Sequence, residues 1–176
     1  MENQAQRAKE LFTYYYGSSF DMHREGTYEE YKSFCVSKET EMEWFKELIG
    51  EYTGQLSIRN WDAITSLSSI SRNYQDSVIV ENVVSFASRN IMSADSIVRL
   101  LFAERLVEIL GANKKVLSKD LLFRACKVTV EVLEAIISQP LVIDPGHELQ
   151  QLNLKDKRSL NSRAKKSIED VMDIVN

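Results

Sequence analysis

Asp21-x-His23-x-Glu25 places three side chains able to ligate a metal at alternate positions. On an extended loop the three would face one way, as a small metal site needs. Cys35 follows twelve residues after His23. A thiol and an imidazole are the parts of a nucleophile–base pair. His147-Glu148, just after Asp144-Pro145-Gly146, repeats the theme of one histidine among acids at a turn. Against these readings, neither H-E-x-x-H nor the E-x-x-H pair of di-iron bundles occurs. Cys35 lies between Phe34 and Val36, which favours a buried and inert thiol. The preferred reading of both histidine segments is a polar surface loop, with no metal and no cofactor assigned.

Paired carboxylates are frequent: Glu29/Glu30, Glu39/Glu41/Glu43 and Glu104/Glu108. At helical spacing such groups read as solvated faces or partners of the helix dipole. Glu104 and Glu108 stand out because their neighbours are apolar, and Arg99 and Arg105 offer ordinary ion pairs. No G-x-G-x-x-G or G-x-x-x-x-G-K-[ST] is present, and no parallel strands exist to carry one.

The basic run 155–166 holds six bases against one acid and could meet phosphates. It lacks the interleaved aromatics of a single-strand surface. Residues 117–136 resemble a helix-turn-helix only faintly, since their apolar stripe runs unbroken. A continuous helix is the better expectation.

The segment YYYGSSFDMHREGTYEEYKSF (14–34) holds five of the seven tyrosines. Tyr15 and Tyr16 continue the apolar face of a first helix, whereas Tyr14 points elsewhere. Tyr28 and Tyr31 share a face of a short helix. Tyrosine combines contact area with a polar tip, which suits interfaces. Asp21, Glu25, Glu29 and Glu30 would rim such a surface with negative charge. The candidate partner-binding residues are therefore Asp21, His23, Glu25, Tyr28, Glu29 and Tyr31.

The elements that must position these groups are helices. Only two prolines occur, Pro140 and Pro145, and neither interrupts a periodic segment. The apolar spacing predicts helices over about 3–16, a short one from Thr27, then about 38–52, 58–73, 77–91, 94–110, 119–138 and 159–175. Gly17 and Gly111 are expected to end the first and sixth. Thr27 with Glu30 reads as a capping box, and Ser37, Asp76, Ser93 and Ser118 as further N-caps. Met42 is expected inside with Phe45 and Ile49, and Met172 and Val175 inside with Leu160 and Ala164. The one strand candidate, Leu141–Ile143, is too short to found a sheet.

The fold class is thus all-α: an irregular bundle of six to eight helices, with a HEAT-like stack of helical hairpins as the variant. One domain is expected over 1–176. It divides into acidic N-terminal helices (1–56), core helices (57–139), a loop (140–158) and a C-terminal helix (159–176). The net charge of −4 is concentrated in the first part, where eleven acids face six bases. No apolar run spans a bilayer, and no signal sequence is seen at the N-terminus. Cys35 and Cys126 read as two reduced, buried thiols of a cytoplasmic protein.

The expected function is a non-enzymatic protein-binding module, such as an inhibitor, an immunity-type neutraliser or a regulatory adaptor, whose partner is a basic protein. A homo-oligomer is compatible with the broad apolar faces. A helical nucleic-acid-binding regulator using 155–166 is the alternative. A small metal-dependent or hydrolytic enzyme around His23 is the third reading.

Overall fold

In the computed structural model, which describes residues 2–176, the chain forms nine α-helices. They are α1 (Glu2–Tyr14), α2 (Ser19–Glu25), α3 (Tyr28–Ser33), α4 (Lys38–Gly54), α5 (Asp62–Asn73), α6 (Ser77–Asn90), α7 (Ser96–Asn113), α8 (Lys119–Ser138) and α9 (Lys157–Val175). Short 3-10 turns at Ile91–Ser93, Lys114–Val116 and Leu149–Leu152 join some of them. No strand occurs among the described residues. The expected all-α bundle is found, and α2 is the helix that carries the number past eight.

The bundle is organised around α7. Phe102, Leu100, Leu106 and Ile109 are fully buried, and apolar residues surround most of the helix. Burying one such side chain is worth roughly 1.5–3 kcal/mol. α7 packs against α5, α6, α8 and α9. In a stack of hairpins each helix touches only its neighbours, so a bundle with a central helix describes the chain better than a HEAT-like stack. The polar stripe of α7 is neutralised by pairs across the surface. Arg163 of α9 grips Glu104 through two hydrogen bonds of 2.7 Å, and Arg105 pairs with Glu108 at 2.9 Å. Arg99 instead donates to the Ala94 and Met92 carbonyls and to Gln139.

A second, aromatic cluster fixes the N-terminal helices to this core. Phe12 of α1 is fully buried, with Phe45 and Trp44 of α4 at 4.7 and 5.3 Å between ring centroids. Phe45 also stacks on Tyr74, nearly parallel at 4.7 Å. The tight turn after α1 makes this packing fit. Tyr16 and Gly17 both take the left-handed conformation, and the Gly17 amide donates to the Phe12 carbonyl at 2.8 Å.

Several local expectations are corrected. Thr27 makes no side-chain cap; its hydroxyl lies against the Met22 carbonyl, and Glu30 reaches Arg7 of α1 instead of the Thr27 amide. The cap of α7 is Asp95 and not Ser93, because Ile91–Ser93 winds into a 3-10 turn. Gly111 does not end α7. Asn113 does, fully buried, donating to the Ile109 carbonyl and Ser71 and accepting from the Asp76 amide. The helix expected from residue 58 begins at Asp62. Met42, Met172 and Val175 face outward, since α4 and α9 each rest one narrow face on the bundle. Cys126 is buried as expected, but Cys35 is exposed, because the chain turns there with a φ of 50° after α3. Leu141–Ile143 is no strand: Val142 exchanges hydrogen bonds with the backbone amide and hydroxyl of Ser96.

Ser37, Asp76 and Ser118 do cap α4, α6 and α8, each accepting a backbone amide of the first turn. Residues 119–138 form one continuous helix, which removes the helix-turn-helix reading. Among the described residues no helix is long and apolar enough to cross a membrane.

Candidate functional site

Two places bring chemically distinctive side chains together. The first is the N-terminal surface. Ser18 accepts the Asp21 amide at 3.1 Å and so starts α2 where an acidic loop was expected. Gly26, at a φ of 80°, stops it. Helical winding turns successive residues by about 100°. Asp21 and Glu25 therefore share one side, and Arg24 lies between them at 3.4 and 3.7 Å. His23 turns to the opposite side and stacks on Tyr28, with 3.8 Å between ring centroids. The alternate spacing that would have aimed three ligands together needs an extended chain, and the helix disperses them.

Tyr31 is buried under α1 and α4 and donates to Glu41 at 2.7 Å. It belongs to the core and is not free to meet a partner. Glu29 is exposed and Tyr28 half-buried. The side chains that stand out most are two others: Tyr14, 77 % exposed, and Phe20, 72 % exposed. They line an open cleft of about 700 Å³ together with Tyr15, Tyr16, and Arg72 and Asn73 of α5. Asn73 holds the cleft in shape by donating to the Tyr16 carbonyl at 2.8 Å, and the Tyr16 hydroxyl bonds Ser66 at 3.0 Å. Tyr14 was legible as outward from its place off the apolar stripe of α1. Phe20 was not, because its exposure depends on α2.

The buried Tyr31 gives a pH test. Desolvation, and then the Glu41 carboxylate, push its phenol far above the usual value of 10.0. A raised folded value means the contribution to stability is whole below about pH 10 and is lost as the pH climbs beyond it. Tyr31→Phe is expected to cost about 1–2 kcal/mol at neutral pH. It is also expected to flatten the fall in stability between about pH 10 and 12. Urea unfolding at a series of pH values measures both, and an unchanged alkaline slope would contradict the assignment.

The second place joins the 140–148 segment to the start of α7. Asp95 is wholly buried, and its carboxylate does three things at once. Oδ1 accepts the Val98 amide at 2.8 Å, and Oδ2 accepts the Asp144 amide at 3.0 Å. The same Oδ2 lies 2.6 Å from Nδ1 of His147. The turn Asp144-Pro145-Gly146-His147 closes with the His147 amide on the Asp144 carbonyl, and Trp61 packs 5.5 Å from the imidazole. His147 was singled out by its sequence surroundings, whereas Asp95, 52 positions away, was not. His23 and His147 lie in separate environments, one against Tyr28 and the other against Trp61 and Asp95.

The basic run 155–166 is partly spent on the fold. Lys157 turns inward onto the Ile136 and Ile137 carbonyls and Asn161, where burial lowers its pKa. Arg163 is held by Glu104 and Lys166 by Asp170. Lys155, Arg158 and Lys165 have no salt-bridge partner among the described residues.

The fold and these surfaces define an all-α helical bundle with an exposed aromatic cleft. No family model matches the chain, and no curated protein and no solved structure matches it either.

Proposed function

We propose that the protein works by binding another protein, without catalysis, through the cleft between α1, α2 and α5. The observation that carries this reading is the exposure of Tyr14 and Phe20, which line one concavity. Large aromatics on a concave surface supply contact area at a modest entropy cost, which is the composition of interface hot spots. The surrounding 1–56 region, with eleven acids and six bases, favours a basic partner and salt-dependent association. An inhibitor, an immunity-type neutraliser or a regulatory adaptor all act in this way.

Asp21 and Glu25 remain in the proposed surface at the cleft, and His23, Tyr28 and Glu29 lie beside it on the far side of α2 and on α3. Tyr31 leaves it, being buried. The nucleic-acid alternative is weaker than the run of bases implied, since three of those six bases already have partners inside the molecule.

The test is a Tyr14→Ala/Phe20→Ala double variant. Both side chains are exposed, so the folded state is expected to keep its stability to within about 1 kcal/mol. Affinity purification from the native host, followed by binding measured on the recovered partner, is expected to show a loss of at least about 2 kcal/mol in affinity. A folded double variant that binds the same partner as tightly as the unaltered chain would remove the proposal.

A further inference from the structure

We propose that Asp95, Asp144 and His147 form a binding site for one divalent transition-metal ion of the Zn²⁺ class. One ligand atom from each of the three lies within 4.8 Å of the others. The set is an imidazole nitrogen and two carboxylate oxygens.

The Asp95 side chain has no solvent exposure. Among the described residues neither Asp95 nor Asp144 has a lysine or arginine within salt-bridge distance; His147 is the sole basic partner of Asp95. The N-terminus of α7 supplies about half a positive charge to Asp95. Asp144, facing solvent, brings a second carboxylate within reach of the buried one. Two carboxylates this close repel, and buried charges are ordinarily paired or bound to a metal. A divalent ion held between them would balance the buried Asp95 and draw the exposed Asp144 onto it in one step.

The donor set narrows the ion. Ca²⁺ and Mg²⁺ prefer shells built of oxygen, whereas imidazole suits the first-row transition metals. Ligands held at about 2.1 Å from one tetrahedral ion lie roughly 3.4 Å apart. The 2.6 Å between His147 Nδ1 and Asp95 Oδ2 then has to open by roughly 0.8 Å. The ion takes the place of the Nδ1 proton. Only the short turn carrying Asp144 and His147 has to move. Asp95 itself is already oriented by the Val98 and Asp144 amides, and Trp61 backs the imidazole, as supporting groups do around metal ligands. Three protein donors leave a position for water or a small anion. A pocket of about 340 Å³ opens beside Asp144 and His147, with Arg59 on its wall.

The full chain, stripped with a chelator, is titrated with Zn²⁺ and separately with Co²⁺ in a calorimeter. One ion per chain is expected, with a Kd of about 10 µM or tighter. Asp144→Asn and His147→Gln are expected to weaken binding by at least about tenfold each. His23→Gln, which alters the other histidine, is expected to leave it unchanged. Asp95 is spared because it caps α7. Should a ligand variant fail to fold, the imidazole resonances of the unaltered chain decide. Zn²⁺ is expected to shift those of His147 and not those of His23. No saturable binding below about 100 µM, or binding that survives both ligand variants, or a shift confined to His23, would overturn the site.

Discussion

Gly17→Ala is expected to lower stability by about 2–5 kcal/mol, with a drop in melting temperature of roughly 4–20 °C. Two separate costs add. Gly17 sits at a φ of 73°, where an L side chain costs about 1–2 kcal/mol. A Cβ there would also press into the ring of Phe45, 2.6 Å from Cε1, and would stand 2.9 Å from Cζ of Phe12. Neither ring can retreat. Phe45 is wedged between Phe12 and Tyr74, and Phe12 is wholly buried. Forcing one extra carbon into such packing costs about 1–3 kcal/mol. Gly26→Ala separates the two costs. It has nearly the same backbone, with a φ of 80°, and nothing within 4 Å of the added carbon. Chemical unfolding of both variants is expected to show Gly17→Ala as the more damaging by at least about 1 kcal/mol. Equal losses would mean that the aromatic cluster yields. The same turn sets the angle between α1 and α2, and hence where Tyr14 and Phe20 stand.

The helices were legible wherever one apolar face met the bundle. Leu121, Ala125, Val128, Val132 and Ile136 marked α8, though Val128 is only half-buried, and a simple cap such as Ser118 marked its start. The bundle came through as well, because so few breakers interrupt the periodic stretches. What failed was decided between distant residues. Glu30 fits a capping box by spacing, yet Arg7 of α1 takes its carboxylate at 2.7 Å. Ser93 and Asp95 are both good caps; the buried place of Asp95 beside Asp144 and His147 selects it. Gly111 carried a stop signal that α7 overrides, since Asn113 two residues on is satisfied within the core. Seven-residue α2 has too few turns for a period to show, so its residues read as loop.

The candidate surface was half legible for the same reason. The crowding of tyrosines and acids showed where to look. It did not show which tyrosines face out, because the face of α1 and α3 that is covered depends on α4. Tyr31 thus went from contact residue to core, and Phe20 came forward. The Asp95–His147 contact had no local signature at all. An aspartate in the apolar surroundings of residues 94–103 becomes notable only once the chain after α8 returns to it.

The second large effect concerns that return. Asp95→Ala is expected to cost about 3–5 kcal/mol, or roughly 6–20 °C in melting temperature. Loss of the N-cap accounts for about 1 kcal/mol, since the Val98 amide loses its acceptor. The Asp144 amide and the His147 ring lose theirs too, at about 1–3 kcal/mol for each group left buried without a partner. Water reaches the outer part of this turn, so the lower half of that range applies to it. Asp95→Asn tests the division. Its amide oxygen still accepts the Val98 amide, but its NH₂ now faces the Asp144 amide, donor against donor. It should therefore fall between the two, at about half the loss of the alanine variant. Hydrogen exchange adds a spatial check. The amides of Val142 and Asp144 are expected to lose protection in Asp95→Ala, while those in the middle of α8 keep theirs. Losses below about 1 kcal/mol, or exchange that rises equally everywhere, would show that the 140–148 segment is held to α7 by its apolar contacts and not by this carboxylate.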